Sequence, residues 1–156
     1  VPQDYKEAVR LYRLSAEQDD PIGQYNLGAM YYEGQGVPQD DKQAIKWWRL
    51  SAEQGNALGQ ANLGVVYSKG QGVPQDYKEA VRLYRLSAEQ GDAIGQYNLG
   101  VMYYNGTGVP QDYVSAHMWW NTCGSRGKKN CAENKDIVEK EMSPSQITKA
   151  QEMARN

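Results

Sequence analysis

Val73 to Gly108 read VPQDYKEAVRLYRLSAEQGDAIGQYNLGVMYYNGTG, and this stretch decides the fold. Its opening phrase, Val-Pro-Gln-Asp, also starts at Val1, Val37 and Val109, so each start lies 36 residues from the last. A fixed period of this length marks a repeat architecture rather than one irregular globule. The match tightens at twice the period. Val1 to Gln18 and Val73 to Gln90 are identical letter for letter, which points to duplication of a two-repeat block.

Two helical patterns fill each period. Helix A runs roughly from Asp92 to Asn105, where Gly95, Leu99, Met102 and Tyr103 fall on one face at helical spacing. Asp20, Asn56 and Asp92 are its expected N-caps, and Pro21 stands where a first-turn proline is tolerated. The corner Gly34-Gln35-Gly36 recurs as Gly70-Gln71-Gly72 and Gly106-Thr107-Gly108, and glycines so placed end a helix. Helix B starts at Asp4, Asp40, Asp76 and Asp112, with capping-box spacing from Asp4 to Glu7 and from Asp76 to Glu79. Its buried stripe in the third unit is expected to be Ala80, Leu83, Tyr84, Ser87 and Ala88. Small residues at Ala8, Ala44, Ala80 and Ala116 let neighbouring helices approach closely.

No strand pattern competes, so the fold class is all-α: antiparallel helix pairs in tandem. Lys128 to Met142 keeps an A-like helix without the Leu-Gly pair, and Ser143-Pro144-Ser145-Gln146 predicts a final helix to about Arg155. Residues 128–156 are therefore expected to form a C-terminal cap, and 1–156 a single repeat domain. Val1 enters in mid-pattern without a comparable cap, which implies a piece of a longer protein. An uncapped first helix is expected to expose Val9 and Tyr12 and to favour end-to-end self-association.

Composition narrows the function. Lys+Arg 17 against Asp+Glu 19 gives a net charge of −2, so no basic face large enough for phosphate contacts is expected, and nucleic acid is set aside as a partner. The apolar runs are a few residues long, as in Gly64-Val65-Val66-Tyr67, whereas a bilayer span needs about 20.

The phrase A-x-x-x-x-x-L-G-x-x-Y-x-x-G-x-G-V-x-x-D, followed by A-x-x-x-Y/W-x-x-x-A-E-Q-G, resembles the Sel-one-like repeat family, a relative of the tetratricopeptide repeats. The instances are Leu27-Gly28, Leu63-Gly64 and Leu99-Gly100; Tyr31, Tyr67 and Tyr103; and Glu17-Gln18, Glu53-Gln54-Gly55 and Glu89-Gln90-Gly91. The resemblance covers essentially the whole chain. It implies a right-handed α-solenoid whose A helices line a concave surface, with an adaptor or scaffold role in protein complexes.

With Leu99 and Tyr103 turned to the core, Ile94, Tyr97, Asn98, Val101 and Tyr104 take the other side of the helix, which on the family's plan looks into the groove. Asn26, Asn62, Asn98 and Asn134 recur there every 36 residues. An amide both donates to and accepts from a peptide backbone, which suits a protein or peptide ligand held in extended form. Tyr25, Tyr32, Tyr97 and Tyr104 flank the row and offer broad contact area. The competing reading is that the asparagines bond between helices and only fix the repeat. On that reading the chain is a structural spacer in a larger array. The Trp47-Trp48 and Trp119-Trp120 pairs read as packing.

Cys123 and Cys131 map by the period onto Ser87 and Gly95, Ser51 and Gly59, and Ser15 and Gly23, positions that are small in every other unit. Their gap is similar to that of the family's cysteine-rich secreted branch, one residue out of phase. The resemblance makes them a disulfide candidate and with it favours a periplasmic or secreted location; two buried thiols in a reducing cytosol are the alternative.

Some cysteine-rich relatives are described as penicillin binders with weak β-lactamase activity, the third reading of function. Ser125-Arg126-Gly127-Lys128 spells S-x-x-K, but Gly127 interrupts the turn and no Ser-Asp-Asn or Lys-Thr-Gly partner follows. His117 is the single histidine and cannot build a common zinc site alone. The glycine corners lack the Lys-Ser/Thr pair of a phosphate loop. No catalytic residue, metal or cofactor is expected.

Overall fold

The computed structural model describes residues 4–156; the first Val-Pro-Gln, where the earliest repeat phrase begins, lies outside the described residues. These contain α1 (Tyr5–Glu17), α2 (Pro21–Glu33), α3 (Asp41–Glu53), α4 (Ala57–Lys69), α5 (Tyr77–Glu89), α6 (Ala93–Asn105), α7 (Tyr113–Gly124), α8 (Lys129–Glu139) and α9 (Pro144–Arg155), and among them no strand. The chain is an all-α helical-repeat protein. It divides into two compact units, Val1–Asp76 and Tyr77–Asn156. In the first, α1 packs on α2, α2 on α3 and α3 on α4. In the second, α5 packs on α6 and α6 on α7, while α7 carries both α8 and α9.

Local chemistry explains the helix ends. Asp20, Asn56 and Asp92 accept hydrogen bonds from the first backbone amides of α2, α4 and α6, and Pro21 opens α2. Gly34, Gly70 and Gly106 close the A helices with φ near +67°. Gly36 combines a φ of +74° with a close approach: a Cβ there would lie 2.6 Å from the Tyr5 carbonyl carbon. Ser143 and Gln146 form the reciprocal capping box of α9.

At Asp4 the expected box is only half formed. Its carboxylate accepts from the Glu7 amide, but the Glu7 side chain turns away to Arg10, with bonds of 2.6 and 3.0 Å. A guanidinium one turn ahead offers two charge-assisted bonds, where the cap amide offers one neutral donor.

The core follows the helical stripes. Ala80, Leu83, Tyr84, Ser87 and Ala88 are all buried, as are Leu27, Leu63 and Leu99 on the A helices. Glycine in the Leu-Gly pair makes room for the indole. A Cβ on Gly28 would sit 2.6 Å from Trp48 Cδ1, and one on Gly100 would sit 2.7 Å from Trp120 Cδ1. Trp47, Trp48 and Trp120 are buried, whereas Trp119 is half-exposed.

The expected exposure of Val9 is corrected: α2 covers it, and it joins a cluster with Leu27 and Met30, with Tyr12 packed alongside. The bare face of α1 carries Leu11 and Leu14 instead, 51% and 47% exposed. One period later, in α3, the Leu11 position is Trp47, which is buried in the cluster with Leu27 and Met30.

Two further rows recur with the repeat. Gln24, Gln60 and Gln96 are buried, and their side-chain amides donate to the carbonyls of Ala16, Ala52 and Ala88 at 3.4, 3.4 and 3.1 Å. Arg13, Arg49 and Arg85 donate to the hydroxyls of Tyr31, Tyr67 and Tyr103. Each row ties a helix B to the helix A that follows it.

Candidate functional site

The outward face of the A helices is built separately in each unit. In the first, a cavity of about 230 Å³ is lined by Tyr25, Tyr32 and Ala29 of α2, Trp48 of α3, and Asn62, Val65 and Val66 of α4. The Trp48 indole N–H donates to the Tyr25 carbonyl at 3.1 Å, which fixes the cavity floor. Tyr32 leans on Trp48 with ring centroids 5.2 Å apart and donates its hydroxyl to Gln71 Oε1 at 3.0 Å. Three residues singled out in the sequence, Tyr25, Tyr32 and Asn62, thus meet around one apolar floor. Asn26 lies half-buried on α2 outside the cavity lining.

In the second unit Tyr97 and Asn98 line a cavity of about 170 Å³ with Ile94 of α6 and Lys128, Asn130 and Cys131 at the start of α8. Trp120 repeats the role of Trp48, donating to the Tyr97 carbonyl at 3.1 Å. Asn98 Nδ2 donates to the Ile94 carbonyl of its own helix at 2.9 Å, and Asn134 is half-buried on α8 away from this cavity. Tyr104 is not brought to it either. Its hydroxyl donates to Glu141 Oε1 at 2.8 Å, and its ring packs against Tyr113 and Trp120.

Glu141 is the electrostatic centre of that contact. Hydrogen bonds from Tyr113 and Tyr104 hold its carboxyl below the usual carboxylate range, and the same bonds push both phenols up. A carboxyl lowered in the folded state stabilises fully above its unfolded value, and that contribution disappears as pH falls through the lowered folded value. Acidification is therefore expected to loosen the segment between α8 and α9. A carbon-13 titration of Glu141 should give a midpoint below the ordinary value of about 4.3. Replacing Tyr104 and Tyr113 together by Phe should return it there; an unmoved midpoint would refute the assignment.

Cys123 at the end of α7 and Cys131 in α8 are joined by a disulfide, with Cα atoms 5.8 Å apart and both side chains buried. His117 is completely buried in α7, and its Nε2 lies 2.7 Å from Glu139 Oε1 on α8. The sequence offered no sign of that bond, since the partners stand 22 residues apart. Ser125 caps α7 and donates its hydroxyl to the Thr122 carbonyl, Gly127 turns the chain at φ +89°, and Lys128 opens α8, so the S-x-x-K residues share no helical turn. Among the described residues no helix is long and apolar enough to cross a membrane, and no group of three or more potential ligand side chains could hold a metal ion.

Known proteins share this arrangement. The family model described as Sel1 repeat matches residues 1–20, 21–56, 57–92 and 93–122, and the last three of these each pair a helix A with the helix B that follows it. The crystal structure of a Sel1 repeat protein from Oxalobacter formigenes is 32% identical, with a TM-score of 0.74, over 81% of this chain and 95% of that one. A protective antigen present in uropathogenic Escherichia coli strains, described as displaying an SLR fold, is 33% identical, with a TM-score of 0.58, over 94% of this chain and 39% of that one. Helicobacter pylori cysteine-rich protein B shares the fold at 23% identity, with a TM-score of 0.65, over 83% of this chain and 93% of that one. No curated protein matches the sequence. Proteins of this kind are generally non-catalytic scaffolds for protein interaction. With family matches running without a break from residue 1 to residue 122, this chain belongs to the Sel1 repeat family.

Proposed function

We propose that this chain is an adaptor that holds an extended protein or peptide segment on the outward face of its A helices. The observation that carries the reading is the first unit's cavity, where Tyr25, Tyr32 and Asn62 surround the apolar side chains of Ala29, Val65 and Val66. Among the described residues the Asn26, Asn62 and Asn134 amides enter no side-chain hydrogen bond, so they are free to pair with a ligand backbone. The spacer reading draws its support from Asn98, which bonds within its own helix, and from Tyr104, which is engaged with Glu141. The disulfide supports work in an oxidising compartment, periplasmic or exterior.

Panning a displayed library of random peptides on the chain tests the adaptor reading. Selected peptides are expected to bind at least about tenfold more weakly to a variant carrying Asn62→Ala and Tyr25→Ala of unchanged helicity, as removal of interface anchors commonly does. Equal binding by both proteins would move the function to another surface.

A further inference from the structure

The repeat breaks at one part-buried hydrogen bond, and the break lies beside a cleft. In the first unit Gln54 Nε2 donates to Gln24 Oε1 at 2.9 Å and to the Asp19 carbonyl at 3.0 Å. Two periods later the residue is Arg126, whose Nη1 donates to the Gly91 carbonyl at 2.6 Å, the counterpart of Asp19. The counterpart of Gln24 is Gln96, and its Oε1 is buried without a hydrogen-bond partner although the residue is only 2% exposed. A buried acceptor without a donor is destabilising, so a ligand that supplies one gains from the pairing.

Gln96 borders a cavity of about 470 Å³ in the second unit, walled by Met118 and Trp119 of α7 and by Met153 and Ala154 of α9, with Arg126 at its mouth. A second cavity, of about 440 Å³, shares Arg126 and adds Ser125 and Arg155. Gln96, the apolar wall and the guanidinium groups of Arg126 and Arg155 thus line two cavities that share Arg126. We propose that this cleft binds a short acidic peptide segment. A backbone N–H donates to Gln96 Oε1, an apolar side chain packs on Trp119 and Met153, and a neighbouring carboxylate meets Arg126 and Arg155. Glu89 on the first cavity's wall repels a carboxylate there, which sets the direction of the segment toward Arg155. The inference concerns side chains of the second unit and does not rest on the adaptor reading above.

The probe is the peptide acetyl-Ala-Leu-Asp-Ala-amide, titrated into the nitrogen-15-labelled chain. The Gln96 side-chain amide and the Trp119 indole signals are expected to shift together and saturate, and replacing the peptide's Leu or Asp by Ala should each weaken binding by about tenfold. Arg126→Gln restores the first unit's amide donor; it should abolish the shifts and raise the thermal midpoint, because Gln96 then gains an internal partner. Asn62→Ala should leave the titration unchanged, which separates this site from the first unit's cavity. Absent shifts, indifference to the peptide's Leu and Asp, or undiminished binding by Arg126→Gln would overturn the proposal.

Discussion

Trp120→Ala is expected to lower the free energy of unfolding by about 3–5 kcal/mol, the range for deleting a large buried aromatic side chain. Trp120 is 3% exposed in a cluster with Ala116, Cys123, Cys131 and Val138, and Gly100 is kept bare to receive it. Its loss leaves a cavity beside Gly100 and removes the donor of the Tyr97 carbonyl. Domains of this size are stable by only about 5–15 kcal/mol, so the second unit would lose much of its margin. Urea unfolding followed by circular dichroism measures the change without relying on tryptophan emission. A loss below about 1 kcal/mol would show that neighbouring side chains fill the space, contrary to the expectation for a rigid, close-packed core.

Replacing Cys123 by Ser and Cys131 by Gly, the residues their counterparts carry in the other repeats, is expected to cost about 2–4 kcal/mol. The reason lies in how each corner is held. At two corners a serine hydroxyl donates to the capping aspartate, Ser15 to Asp20 at 2.5 Å and Ser87 to Asp92 at 2.9 Å, and that aspartate caps the next helix A. At the third repetition the capping residue is Lys128, which makes no side-chain cap bond, and the serine position is Cys123. The disulfide holds α8 against α7 where the Ser–Asp pair is missing. Adding Lys128→Asp to the cysteine-free variant should therefore recover about 1 kcal/mol, the usual contribution of an N-cap. Chemical denaturation of the three proteins decides it. No loss on removing the bridge, or no recovery with the aspartate, would sink the explanation.

Much of this was legible in the letters because the determinants are local. Asp20, Asn56 and Asp92 cap helices whose first amides lie two or three residues away, Gly34 and Gly106 take left-handed conformations that the next turn requires, and Ser143 and Gln146 bond within one turn. The outward row was legible as a row, since Asn26, Asn62 and Asn98 sit one helical step from the buried Leu27, Leu63 and Leu99. The buried glutamines Gln24, Gln60 and Gln96 carried the same 36-residue signal and could have been found by it. Their roles were not legible, because whether an amide meets solvent, a carbonyl or another amide depends on helices far along the chain. Gln24 and Gln96 show it, sharing a repeat position while only one receives a side-chain donor.

The sequence by itself determined the period, the helix pairs, their caps and the family, because each follows from spacing and from bonds made within a few residues. Tertiary structure alone decided burial and pairing. Tyr5–Glu17 and Tyr77–Glu89 are the same thirteen residues, yet Leu11 is 51% exposed and Leu83 is 2% exposed. Identical letters form identical helices, but the area removed from water depends on which other surfaces lie against them, and that is not written in the helix itself.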